Sequence, residues 1–130
     1  MLLVDAANVV GSRPTGWWRD RAGAARDLTS RVRSAAADGL LPRPVVLVLE
    51  GAAKKGVAEG VADGVEVVHA PGEGDDTIVA VADGSEMDAE ADASVIVVTA
   101  DRRLAERVRR DGVRVVGPTW LLDRLPPSAL

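Results

Sequence analysis

The sequence predicts an α/β fold, a three-layer sandwich built on a mostly parallel five-stranded sheet. Two observations carry this expectation. Five short aliphatic runs, at residues 2–4, 45–49, 65–68, 95–98 and 113–116, are continuous rather than alternating, as strands covered on both faces are. Helical patterns fill most of the intervals between them, and right-handed crossovers then place helices on both sides of the sheet.

The first run, Leu2-Leu3-Val4, leads straight into Asp5, and Asn8 falls in the loop after it, where Ala6-Ala7-Asn8 shows no helix to cap. Trp18, Ala22, Ala25, Leu28, Val32 and Ala36 then step by three or four, which predicts one long amphipathic helix ending near Gly39. The second strand passes through Glu50 into a Gly- and Ala-rich connection, 51–64, expected to be only partly helical. The third strand runs into HAPGEGDD, and a helix over 76–83 carries Ile78, Val79, Val81 and Ala82, with Gly84 as its C-terminal cap. The acidic stretch 84–92 (GSEMDAEAD) reads as an exposed loop or a frayed helix end. The fourth strand ends VVTAD, so Asp101 opens a helix over 102–111 that Gly112 closes. Within it, Arg102–Glu106 and Glu106–Arg110 are spaced for pairing one turn apart. After the fifth strand, Gly117-Pro118 starts a last short helix through Trp120, Leu121 and Leu125.

Composition excludes several chemistries. The 130 residues suit a single domain, 1–130, large enough for one real core. There is no cysteine, hence no disulfide or thiolate metal site, and the one histidine, His69, cannot build a zinc site alone and reads as a strand-end residue. Asp5 interrupts the opening apolar run too early for a signal peptide, and no apolar stretch approaches the roughly 20 residues that span a bilayer. A cytoplasmic protein without membrane association is the expectation. The net charge of −4 argues against a general nucleic-acid coat but leaves room for a local basic surface. All but two basic residues are arginine, the better side chain for bidentate phosphate contacts. No GxxxxGK[ST] loop, no GxGxxG after the first strand and no GxSxG elbow occurs, and a receiver-type domain would end its last strand on lysine where Val116-Gly117 stands.

What the pattern offers instead is acids. Ligands of open parallel sheets bind beyond the carboxyl ends of the strands, and Asp5, Glu50, the Asp75–Asp76 pair and Asp101 all fall at that edge. Singly, each has a plain structural reading: Asp101 and one of the pair as helix caps, Glu50 as a solvated turn residue, Asn8 as a partner of its own turn. Jointly they say more. Two carboxylates about 4 Å apart repel by about 4 kcal/mol at an effective dielectric of about 20, against a domain stability of only about 5–15 kcal/mol. If Asp5, Asp76 and Asp101 converge, a cation or a proton must offset that repulsion. Oxygen donors without His or Cys select Mg²⁺ or Mn²⁺, whose chemistry is phosphodiester hydrolysis.

LLVDAANVVGS, GDDTIVAVAD and VIVVTADRRL, in that order and spacing, resemble the NYN domains of the PIN-like nuclease superfamily, and most of all its YacP-like branch. The resemblance covers nearly the whole chain. It implies a Rossmann-like (PIN-like) sheet of order 3-2-1-4-5 and an RNA-cutting activity that uses Mg²⁺ or Mn²⁺. Carried onto this sequence, Asp5 matches the first metal-binding acid, Asn8 the amide after it, Asp76 with Asp75 beside it the helix-borne acid, and Asp101 the acid after the fourth strand. The sequence departs from the family at Arg103, where many members carry a further acid; one weakly held metal is then implied rather than two. Asp83 is either a further ligand or a surface residue.

The expected activity is thus a metal-dependent endoribonuclease, with RNA, single-stranded or structured, as its partner. Arg13, Arg19, Arg102 and Arg103, with Arg21, Lys54 and Lys55, are placed to hold phosphates or else are solvated charges. Trp17 and Trp18 either pack or stack an unpaired base, while Trp120 reads as core. Two alternatives stay open: a nucleotide pyrophosphohydrolase-like enzyme, which the negative charge favours, and a catalytically weak RNA-binding or interaction module, which Arg103 favours. A homodimer is open as well, with 84–92 as a candidate interface.

Overall fold

The computed structural model describes residues 1–87 and 94–128. In chain order these form β1 (Leu2–Asp5), α1 (Ala6–Gly11), α2 (Arg21–Ala37), β2 (Val45–Leu49), β3 (Gly60–Ala62), β4 (Val65–His69), α3 (Gly74–Met87), β5 (Val95–Val98), α4 (Arg102–Val108), β6 (Val113–Val116) and α5 (Pro118–Leu122). Short 3-10 helices lie at Trp17–Arg19 and Gly51–Gly56.

The strands make one sheet of order β3-β4-β2-β1-β5-β6. All neighbours are parallel except β3 and β4. The expected five-stranded sheet is therefore corrected in count, and its order is extended by one edge strand beyond the five expected ones. The added strand, β3, comes from the 51–64 connection and pairs at one edge through the two-residue turn Asp63-Gly64, whose φ values are 54° and 77°. Both central residues of such a hairpin turn need positive φ, which glycine and aspartate tolerate.

Alternation along each strand sorts the core into two layers. Leu2, Val4, Val45, Leu47 and Leu49 meet Val9 of α1, Ala25, Leu28 and Val32 of α2, and Leu121 of α5. Leu3, Val46, Val48, Val95 and Val97 meet Ile78 and Ala82 of α3 and Leu104 and Val108 of α4. Helices thus cover both faces, which is why β2 and β5 are unbroken aliphatic runs, whereas Glu66 of β4 and Arg114 of β6, nearer the sheet's edges, are exposed. β1 lies between β2 and β5, with Leu2, Leu3 and Val4 fully buried.

Several element ends differ from expectation for local reasons. The long helix starts at Arg21, not at Trp18, because the Asp20 carboxylate accepts the Gly23 N–H (2.8 Å) and caps it there. A Cβ at residue 23 would collide with that carboxylate. Trp18 instead sits in a separate 3-10 turn, 53% exposed. α3 begins two residues early and runs through Gly84, so Gly84 does not cap it; residues 88–92 of the acidic stretch lie outside the described residues. α4 ends at Val108, short of Asp111, and α5 ends at Leu122, short of Leu125. Arg110 is turned to Asp83 and the Ala82 carbonyl on α3 rather than to Glu106, whose described ion pair is with Arg109. No helix among the described residues is long and apolar enough to cross a membrane.

Candidate active site

Parallel pairing delivers the carboxyl ends of β1, β2, β4 and β5 to one edge of the sheet, and the acids gather there. Asp5 closes β1. It is only 6% exposed, and its extended backbone (φ −79°, ψ 90°) makes it the N-cap of α1. Its Oδ1 accepts the Asn8 N–H (3.4 Å) and its Oδ2 accepts the Thr99 hydroxyl (3.0 Å). The expectation that no helix follows Asp5 is corrected: Ala6–Gly11 is helical and Asn8 lies within it. The Asn8 side chain does not serve its own turn either. Its Oδ1 accepts the Ala100 N–H across the sheet edge (2.7 Å).

Asp101 begins α4. Its Oδ1 accepts the Arg103 and Leu104 N–H groups (2.9 and 3.2 Å), and its own N–H donates to Thr99 Oγ1 (3.1 Å). Thr99, 3% exposed, therefore links Asp5 to the backbone of Asp101. These bonds stitch the start of α1 to the start of α4 and fix the Asp5 carboxylate in place.

The helix-borne pair divides. Asp76 points outward, its side chain 83% exposed, and pairs with Arg107 of α4 (2.7 Å). Asp83, two turns on, likewise pairs with Arg110. Asp75 faces the other way. It is half-buried, and burial followed by repulsion from Asp101, Glu50 and Glu73 raises its pKa. Asp75, not Asp76, is the α3 acid turned toward the rim. Glu50 is not a solvated turn residue: it is partly buried and its Oε2 accepts the Gly74 N–H (2.6 Å) at the start of α3.

Electrostatics at this edge are unfavourable to charge. Burial pushes the Asp5 pKa up from its ordinary 3.8 to about 6. The bonds from Thr99 and Asn8 pull it back, while the Asp75 and Glu50 charges push it further up. No Arg or Lys lies within ion-pair distance of Asp5, Asp75 or Asp101 among the described residues, although the Arg107 charge partly offsets the repulsion on Asp75. Nor do three or more His, Asp or Glu side chains among them stand close enough together to hold an ion. The acids are close enough to repel one another without forming a finished three-carboxylate cage.

The predicted basic residues spread around this edge. Arg102 and Arg103 are exposed on the first turn of α4, and Arg13 is exposed in the loop after α1. Arg19 lies over the Trp18 ring (6.0 Å) and Arg21 over the Trp17 ring (5.5 Å). The two indoles meet edge to face, 6.0 Å apart. Lys54 is spent on the Ala70 carbonyl (2.9 Å) and Lys55 is exposed. His69 is structural: its Nε2 meets the Val57 carbonyl (2.6 Å) and its N–H donates to Glu59 (2.7 Å). Trp120 packs against the first core layer. Beside the acids a hollow of about 400 Å³ opens between α1, α2 and the end of β2, with Trp17, Arg21, Glu50 and Glu73 in its wall.

Sequence reasoning singles out neither Thr99 nor Glu73, and it treats Arg21 as one charge among many. A hydroxyl prolonging the buried run VIVV is the one sequence signal that marks Thr99. No protein-family model matches the chain, and no curated protein or solved structure matches it significantly.

Proposed function

We propose that this chain is a cytoplasmic, divalent-metal-dependent ribonuclease of the NYN type, which hydrolyses RNA phosphodiester bonds at the acidic edge of its sheet. The observation that carries the reading is Asp5, a buried carboxylate at the end of the central strand, pressed by like charges and without a described cationic partner. A fold retains such a group at a cost, and functional sites are where such costs concentrate.

Asp5 and Asp101, joined through Thr99, would hold Mg²⁺ or Mn²⁺, with Asp75 and Glu50 beside them. Mg²⁺ usually keeps several waters and takes only one or two carboxylates, which suits acids that stand near one another without forming a closed cage. Such an ion, when bound, polarises a phosphoryl oxygen and makes a coordinated water more acidic. The chain's own residues do the rest. Asn8 and Thr99 hold Asp5 in one orientation. Asp75, the more accessible of the two acids with raised pKa, takes the proton from an attacking water. Arg102 and Arg103, with Arg13 and Arg19, hold phosphates on either side of the bond that breaks.

The second reading, an RNA-binding module without catalysis, draws on the hydrogen bonds that already give Asp5, Asn8 and Asp101 structural work. Incubating the protein and its Asp5→Asn variant with labelled RNA and with nucleoside triphosphates, in Mn²⁺ or EDTA, separates these. Mn²⁺-dependent RNA cleavage lost in Asp5→Asn supports the ribonuclease. Cleavage of triphosphates alone points to the pyrophosphohydrolase-like enzyme. RNA that binds but is never cut points to the module.

A further inference from the structure

We infer that the hollow beside the acidic edge is a base-recognition pocket for one unpaired guanine, which sets where an RNA strand lies over the acids; the cleavage part of this statement rests on the ribonuclease reading. The pocket's capacity, about 400 Å³, falls within the range of small-molecule sites. Its lining has the composition such sites have, mostly apolar with a few polar groups. Ala6, Ala7 and Val10 of α1, Ala25 of α2 and Ala53 of the second 3-10 helix are all small or slender, and that is what leaves the space. Gly56 allows that 3-10 helix to lie so close to α2, since a Cβ there would collide with the Ala22 carbonyl.

Trp17 and Arg21 supply a planar surface in the same wall, the guanidinium carbon 5.5 Å from the ring centroid. Aromatic rings and guanidinium planes are the surfaces on which unpaired bases stack. Trp17 is only partly buried, so it is accessible to a ligand.

The polar groups decide which base. Besides Arg21, the charged side chains in the wall are Glu50 and Glu73. Glu50 has one oxygen engaged with Gly74. Glu73 is exposed and has no hydrogen-bond or ion-pair partner among the described residues, so both its oxygens are open. A carboxylate only accepts hydrogen bonds. Guanine alone among the four bases presents two adjacent donors, N1–H and the 2-amino group, to match two carboxylate oxygens. Adenine and cytosine place an acceptor nitrogen next to their amino group, and uracil flanks its single N–H with carbonyls; each sets a lone pair against the carboxylate.

The test is a titration in EDTA, so that neither metal nor cleavage enters. Binding of the monophosphates of guanosine, inosine, adenosine, cytidine and uridine is followed through the Trp17 indole N–H resonance, assigned with a Trp17→Phe variant. Guanosine monophosphate is expected to bind about tenfold or more tightly than the others, inosine included, since it lacks the 2-amino group. Glu73→Gln should erase the preference, and Ala7→Leu, which fills the hollow from an exposed position, should weaken every ligand. A short RNA carrying one guanine, binding more tightly than the mononucleotide, identifies the strand as the source of the base; equal affinities identify the free nucleotide. Equal binding of all bases, or a preference that survives Glu73→Gln, overturns the inference. RNA cleavage with no base preference would remove the pocket and leave the nuclease; guanine binding without cleavage of any RNA would do the reverse.

Discussion

Replacing Asp5 by Asn should make the metal-free protein more stable at alkaline pH, although it removes a residue with two hydrogen bonds. The folded pKa of Asp5 lies at about 6 against an ordinary 3.8. Between those values the native state holds the proton that the unfolded chain has released. Stability therefore falls as pH rises through this window and stays lower above it. The gap between 3.8 and about 6 corresponds to about 3 kcal/mol. The substituted amide carries no charge and escapes that penalty. It keeps one oxygen for the Asn8 N–H, and its NH₂ group can donate to Thr99 Oγ1 where the carboxylate accepts from it. If the exchange loses about 1 kcal/mol of hydrogen bonding, the variant gains about 2 kcal/mol at pH 8. At pH 4.5 the wild-type penalty has shrunk to about 1 kcal/mol, so the gain disappears. Urea unfolding at both pH values in EDTA measures this, provided the slope with denaturant is unchanged. A variant destabilised equally at pH 4.5 and pH 8 would show that Asp5 is a contented cap and that no charge strain resides at the sheet edge.

Other substitutions separate the roles of neighbouring residues. Thr99→Val removes the hydroxyl that lowers the Asp5 pKa and that accepts the Asp101 N–H. It should raise the Asp5 pKa further, seen by NMR titration of its carboxyl carbon, and cost about 1–3 kcal/mol in unfolding measurements. Asp101→Ala deletes the α4 cap and should cost about 0.5–2 kcal/mol, whereas Asp101→Asn should keep most of the capping and lose only stabilisation by Mn²⁺ in a thermal melt. Asp75→Asn should shrink the Mn²⁺-induced rise in melting temperature, and Asp76→Asn should leave it intact, because Asp76 is turned away to Arg107; equal effects at both positions would contradict the assigned facing of α3.

The parts of the fold that are legible in the sequence are those where burial is two-sided. Val45–Leu49 reads as a strand because neither face of it meets water. β3 does not, since Gly-Val-Ala at an exposed edge carries no apolar pattern; only Asp63-Gly64 announces it, through the turn it favours. α1 is hidden because AANVVG is too short to show a period and ends on two β-branched residues before its glycine, and with it goes the simplest explanation of Asp5. The choice between Asp75 and Asp76 is readable in principle. Ile78 and Ala82, both fully buried, follow Asp75 by three and seven residues and so share its face, while Asp83 shares that of Asp76. What cannot be read is distance: Thr99 meets Asp5 only because β5 lies beside β1, a juxtaposition 94 residues apart in the chain.

Whether the acidic edge is a cation site is tested most directly by counting bound Mn²⁺ with electron paramagnetic resonance at pH 5 and pH 8, in the protein and in its Asp5→Asn variant. One Mn²⁺ per chain is expected at pH 8, held more weakly at pH 5 as Asp5 regains its proton, and lost in the variant. An ion that fails to bind, or that binds Asp5→Asn as tightly as the wild type at both pH values, would contradict the account.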